Sequence, residues 1–243
     1  MTRQSLFDRC PLCDQGVVAW REAEAVYACE HCGLRLKEHA FLGLFKRGRF
    51  GVIHLGEGDF TLARQSLNKV ALLPDALKVV LGNVYPDQQL AAIANGSLEI
   101  IRPVRTVLAQ IILEQLRETC YLQVNGLRRG YGPALSEGGF YQPRQAAPRP
   151  GMDWQDKGNL FCTDQRLVFP SDRFTFIRID RKLTGVQAFT NGVAVQRKGE
   201  DFATYFVGCY PHEAALAAAY LMAKAPKLRV SPQEPNSSKY KVE

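Results

Sequence analysis

Two cysteine pairs constrain this chain more than any other feature. Cys10-Pro11-Leu12-Cys13 and Cys29-Glu30-His31-Cys32 read C-x2-C, fifteen residues, C-x2-C, which lies within the spacing of four-thiolate zinc sites. Two residues between cysteines let a tight turn bring both sulfurs to one ion, and the turn amides can then hydrogen-bond the thiolates. Gly16 and Gly33 follow the pairs where such turns need positive φ. Cys10, Cys13, Cys29 and Cys32 are therefore the expected ligands of one structural Zn2+. With every tetrahedral position filled by sulfur, none is left for a catalytic water.

Between and after the pairs, Val17-Val18-Ala19-Trp20, Ala25-Val26-Tyr27-Ala28 and Leu34-Arg35-Leu36-Lys37 are strand-forming in composition. Two turns plus a small sheet resemble a zinc ribbon over about residues 7–38, and the ribbon unit is expected within residues 1–40. A redox C-x-x-C is the competing reading, but redox pairs usually come singly at a helix start. His31, between two ligands, is expected to face solvent. Arg9 and Arg21 stand against Asp8, Asp14, Glu22, Glu24 and Glu30, so the unit lacks the basic patch that nucleic acid requires.

The other three of the seven cysteines are scattered, and such usage favours a metal site in a reducing compartment over a disulfide framework. The opening residues carry no signal-like apolar core, and no apolar run has the length of a membrane span. A cytoplasmic protein, with at most peripheral membrane contact, is expected. The chain of 243 residues carries 31 Lys+Arg and 24 Asp+Glu, a formal charge of +7. Most of that excess falls after residue 118, so an anionic partner is expected to meet the second half.

Residues 41–118 read as a mainly helical segment. Its clearest element runs from Val104 to Glu118, where Val104, Leu108, Ile111, Ile112 and Leu116 recur at helical spacing. Leu62 to Leu73 and Asp87 to Ala94 are shorter helix candidates, and Phe50 to Leu55 a strand following a basic turn, Lys46-Arg47-Gly48-Arg49. From 119 onward strand signals dominate, with turns at Thr163-Asp164-Gln165 and Asn191-Gly192. Pro211 to Ala223 then reads as a helix with Leu216, Ala219, Tyr220 and Ala223 on one apolar face. A proline-rich stretch over 132–156 is expected to be a long mobile loop, and 225–243 a disordered tail.

Short strands closed by one helix resemble the pleckstrin-homology superfold. Gly158-x-Leu160 through Thr163-Asp164-x-Arg166-Leu167-x-Phe169 is similar to the signature of GRAM and bacterial PH-like domains, over roughly 119–224. The resemblance implies an α+β chain: a small ribbon, a helical middle, and an antiparallel PH-like barrel capped by its C-terminal helix. It also points to a lipid-facing role for the loop between the first two strands. Arg128, Arg129, Arg144 and Arg149, diluted only by Glu137, are the candidates there.

No H-E-x-x-H, Gly-x-Ser-x-Gly or phosphate-loop pattern is present. Cys120, Cys162 and Cys209 lie in or beside apolar strands and read as small buried hydrophobes. The sequence points to a non-enzymatic zinc-binding adaptor whose PH-like half docks a protein partner or an anionic membrane surface. The alternative is a nucleic-acid-associated protein using the ribbon and the Lys46–Arg49 turn.

Overall fold

The computed structural model describes residues 5–228 except 42–44, 69, 105, 108–116 and 172–173. Two antiparallel-dominated sheets and four helices make up these residues. No helix among them is long and apolar enough to cross a membrane.

The first sheet is a meander of β1 (Val18–Arg21), β2 (Val26–Cys29), β3 (Leu34–Phe41), β4 (Phe45–Leu55) and β5 (Ala71–Leu72), in that spatial order. It extends well beyond residue 40. Leu34, Leu36, Phe50 and Val52 alternate along β3 and β4 and bury one face against α1 (Thr61–Leu67) and α2 (Pro74–Gly82), which contribute Ala63, Leu67, Leu77 and Leu81. One core thus runs from Phe7 to Val84, and the expected boundary at 40 moves accordingly. The basic run Lys46-Arg47-Gly48-Arg49 lies inside β4 rather than in a turn; a register shift opposite His39 and Ala40 accommodates it. The helix expected over Leu62 to Leu73 stops at Leu67, because Leu72 pairs with Phe50 in β5. Helix α2, unread in the sequence, opens with Pro74 in its first turn.

Helix α3 (Asp87–Ala94) forms where expected, but Leu90, Ile93 and Ala94 belong to the second core. The Val104 to Glu118 helix expectation falls mostly outside the described residues. Val104 itself packs on Cys120, Phe161 and Val168.

The second sheet holds β6 (Cys120–Pro133), β7 (Gly138–Phe140), β8 (Asp153–Thr163), β9 (Arg166–Phe169), β10 (Thr175–Arg178), β11 (Leu183–Phe189), β12 (Gly192–Arg197) and β13 (Phe202–Val207). Their spatial order is β10-β9-β8-β6-β13-β12-β11-β7. The sheet has two outer strands and is not closed into a barrel, because its strand ends do not meet: β7 inserts as a parallel partner of β11 and occupies that edge. Strand β6 pairs with β8 along most of its length and with β13 through residues 128–133.

The segment expected to be a mobile loop over 132–156 is instead built into the sheet. Strand β6 continues to Pro133 and β8 begins at Asp153. Between them, Ala147 packs on Phe189, Ala194, Ala203 and Tyr205, with Leu135 and Met152 alongside. Three hydrogen bonds fix this strap: Leu135 N–H to the Gln196 side-chain oxygen at 3.1 Å, Ala147 N–H to that of Asn191 at 2.8 Å, and Thr190 N–H to the Gln145 carbonyl at 2.9 Å. The strap's prolines lack donors, and these three bonds all run between the strap and the β11–β12 hairpin.

Helix α4 (Pro211–Lys224) is buried almost all round, where one apolar face was expected. Its alanines at 214, 215, 217, 218 and 219 allow close approach from several directions. The sheet takes one side, and α3 and α1 cover the other. The first residues of the expected tail continue this packing as a 3-10 turn, Pro226–Leu228, with Leu228 fully buried. Residues 229–243 lie outside the described residues.

Candidate metal centre

The two turns that carry the cysteines are built alike. Amides of Leu12 and Cys13 point at the Cys10 sulfur, and those of His31 and Cys32 at the Cys29 sulfur. The Cys10 N–H donates to the Gly16 carbonyl at 2.9 Å and the Gly33 N–H to the Cys29 carbonyl at 3.0 Å, so each turn closes on itself. Gly16 has φ 52°, and a Cβ there would stand 3.1 Å from the Cys29 sulfur. Gly56, which the sequence did not single out, passes closer still. A Cβ on it would fall 1.9 Å from the Cys32 carbonyl oxygen, so only glycine lets β4's end support the second turn.

The ligand atoms of Cys10, Cys13, Cys29 and Cys32 all lie within 4.8 Å of one another. The Cys10–Cys32 sulfurs are 3.7 Å apart and the Cys13–Cys29 sulfurs 3.8 Å. Those two separations are opposite edges of a tetrahedron, each joining one turn to the other. A metal–sulfur bond of about 2.3 Å implies a tetrahedral edge of about 3.8 Å, far from the ~2.0 Å of a disulfide. The four-cysteine group is therefore shaped to hold a metal ion.

The electrostatics agree. Burial pushes the Cys10 thiol far up and that of Cys32 up to about 11. Burial also acts on Cys29, but the amides of Cys32 and His31 together with the Cys10 and Cys32 side chains draw that thiol down. Four adjacent thiolates need a cation to coexist in such a site. His31 is exposed, as expected for a residue between ligands.

The arginines expected at a lipid surface do not form one group. Arg129 is only 5% exposed; its guanidinium makes a two-pronged bond with Asp156, at 2.9 and 3.1 Å, and donates to the Tyr131 hydroxyl at 3.1 Å. Against the expectation it does not face a lipid surface: it forms an internal ion pair, and the Asp156 hydrogen bond raises its pKa. Arg128 is exposed and lies 4.6 Å over the Trp154 ring. Arg144 and Arg149 are exposed on the strap.

The Thr163-Asp164-x-Arg166 turn is a structural hub. The Thr163 hydroxyl accepts from the Gln165 and Arg166 amides and donates to buried Glu118 at 2.6 Å, and Arg166 pairs with Glu118 at 2.5 Å. The Tyr220 hydroxyl donates to the Thr163 carbonyl at 2.7 Å and ties α4 to the turn. Cys120, Cys162 and Cys209 are buried, and burial pushes each thiol up, to about 12 for Cys120.

Two features escaped the sequence. Phe174 and Phe176 are 56% and 42% exposed, with ring centroids 5.6 Å apart, at the outer strand β10. At the junction of the two cores, the buried Asn83 amide donates to the Gln123 carbonyl at 2.9 Å and to the Glu213 carboxylate at 3.1 Å. Isolated Phe and Asn residues carry no periodic signal that would have marked either.

No protein-family model and no curated protein matches the chain. A solved structure that does match is the C-terminal domain of an unknown protein from Leishmania infantum. It shares 17% identity, over 49% of this chain and 95% of that chain, with a TM-score of 0.27. At that level the likeness says nothing of function.

Proposed function

We propose that this protein is a non-enzymatic adaptor in which a structural Zn2+ on Cys10, Cys13, Cys29 and Cys32 secures the N-terminal unit and the C-terminal half docks a protein partner. The observation that carries the reading is the closed sulfur tetrahedron, whose four positions are all taken by cysteine. Such a site supplies folding energy rather than a reactive water.

The PH-like reading of residues 119–224 draws support from strand order. Leaving out β7 and numbering from β6, the strands run 4-3-2-1-7-6-5 across the sheet, and α4 follows the last of them. Strand β10 ends that series with an outer edge and the exposed Phe174–Phe176 pair. An edge with apolar side chains suits addition of a partner's extended segment. A membrane role would rest on Arg128, Arg144 and Arg149 without Arg129.

The test is affinity capture by the full chain beside a Phe174→Ser/Phe176→Ser variant, with phosphatidylserine vesicles and nucleic acid as parallel baits. A protein retained by the wild type and lost from the variant supports the reading. Vesicle binding that requires Arg144 and Arg149 would replace it with the membrane role. Nucleic acid retention would replace it with the nucleic-acid alternative.

A further inference from the structure

A cavity of about 290 Å³ opens between the first cysteine turn, α2 and the chain just beyond Ile101. Among the described residues its wall carries three cations, Arg9, Lys78 and Arg102, against one carboxylate, Asp14. Arg9 is already paired with Asp14 at 3.0 Å. Neither Lys78 nor Arg102 has a carboxylate partner among the described residues.

Arg102 is also held in place. Its N–H donates to the Tyr85 hydroxyl at 3.1 Å, its guanidinium lies 5.5 Å from the Tyr85 ring centre, and the preceding Ile101 is anchored in the core. A cation fixed in advance loses little freedom on meeting an anion. Pro11, Val79 and Pro103 make adjoining parts of the wall apolar.

We infer that this cavity binds a small organic oxyanion, a carboxylate or phosphate monoester on a compact apolar body, with Lys78 and Arg102 as its counter-charges. The proposal goes beyond the adaptor reading and does not depend on it. The competing role for these cations is to offset the metal centre, since Cys10 lines the same cavity and four thiolates on a divalent ion carry two negative charges. Yet neither cation hydrogen-bonds a sulfur among the described residues, so their donors are available to a ligand.

Calorimetric titration of the metal-loaded full chain with phenyl phosphate and with benzoate tests this and separates the two oxyanion sources; inorganic phosphate serves as the control without an apolar body. One probe is expected to bind saturably, one to one, and more tightly than inorganic phosphate. Lys78→Gln and Arg102→Gln should each weaken it about tenfold or more, the usual worth of a charge-assisted hydrogen bond, with metal content unchanged. The proposal is overturned if neither organic probe saturates by about 1 mM, a threshold of roughly 4 kcal/mol of binding. It is equally overturned if binding survives both substitutions, or if the substitutions release metal instead of weakening the ligand.

Discussion

Asn83, at the C-terminal end of α2, donates to Glu213 in the first turn of α4 across 3.1 Å, and this bond links the unit that carries the four cysteines to the core of the second sheet. The same carboxylate accepts from the Tyr210 N–H at 3.0 Å. Burial pushes Glu213 up to about 7, although both hydrogen bonds favour its charged form. Beside it, burial holds His212 down at about 4.

These two groups give opposite pH dependences. A carboxyl raised from 4.5 to about 7 binds more protons folded than unfolded, so its contribution is full below pH 4.5 and is lost as pH rises through 7. A histidine lowered from 6.5 to about 4 makes stability rise with pH across that interval. The slopes cancel over the shared range in the wild type. Glu213→Gln should expose the histidine's rise, on the order of 3 kcal/mol between pH 4 and 6.5, in denaturant melts. A profile as flat as the wild type's would contradict this.

Arg129 and Asp156 form a buried pair, and removing one partner strands the other. Arg129→Gln should destabilise the fold by about 3 kcal/mol or more. Arg144→Gln and Arg149→Gln, on the exposed strap, should fall within about 0.5 kcal/mol of the wild type. Urea unfolding of the three variants separates an internal ion pair from a surface cluster.

Helix α4 is expected to tolerate bulk on none of its sides. Ala214→Leu and Ala218→Leu point away from the apolar face read in the sequence, yet both alanines are fully buried. Each should cost about 1–3 kcal/mol by overpacking, and Leu216→Asp more than either. Unchanged melting of both alanine variants would show that the helix has a free face.

Gly56→Ala should loosen the second cysteine turn, because its Cβ would collide with the Cys32 carbonyl. The expected result is a metal affinity lowered by about tenfold or more, the lower end of what lost support around a ligand costs. Chelator competition measures it.

The parts legible in the sequence are those that local spacing determines. The cysteine turns follow from two-residue gaps, and α3 from Pro86, Asp87 and an apolar stripe at Leu90 and Ile93. The parts that were not legible depend on distant chain. Arg129 reads as a surface charge until Asp156, 27 positions away, is placed beside it. Proline-rich residues 134–152 read as a loop because nothing local says that Asn191 and Gln196 will receive their amides. The second buried side of α4 exists because α3 and α1 fold onto it, and β5 is too short at two residues to carry a period.

The fold of the N-terminal unit is expected to depend on the metal. Because Cys10 and Cys29 share one core with Leu36, Leu67 and Leu81, its loss should unfold the N-terminal unit through about Val84 rather than the cysteine turns alone. Elemental analysis combined with thiol titration of the purified full chain tests this most directly. The expected result is one zinc per chain, four thiols protected until a chelator is added, and no bound zinc in Cys29→Ser. A folded chain without stoichiometric metal, its Cys10, Cys13, Cys29 and Cys32 free to react, would contradict it.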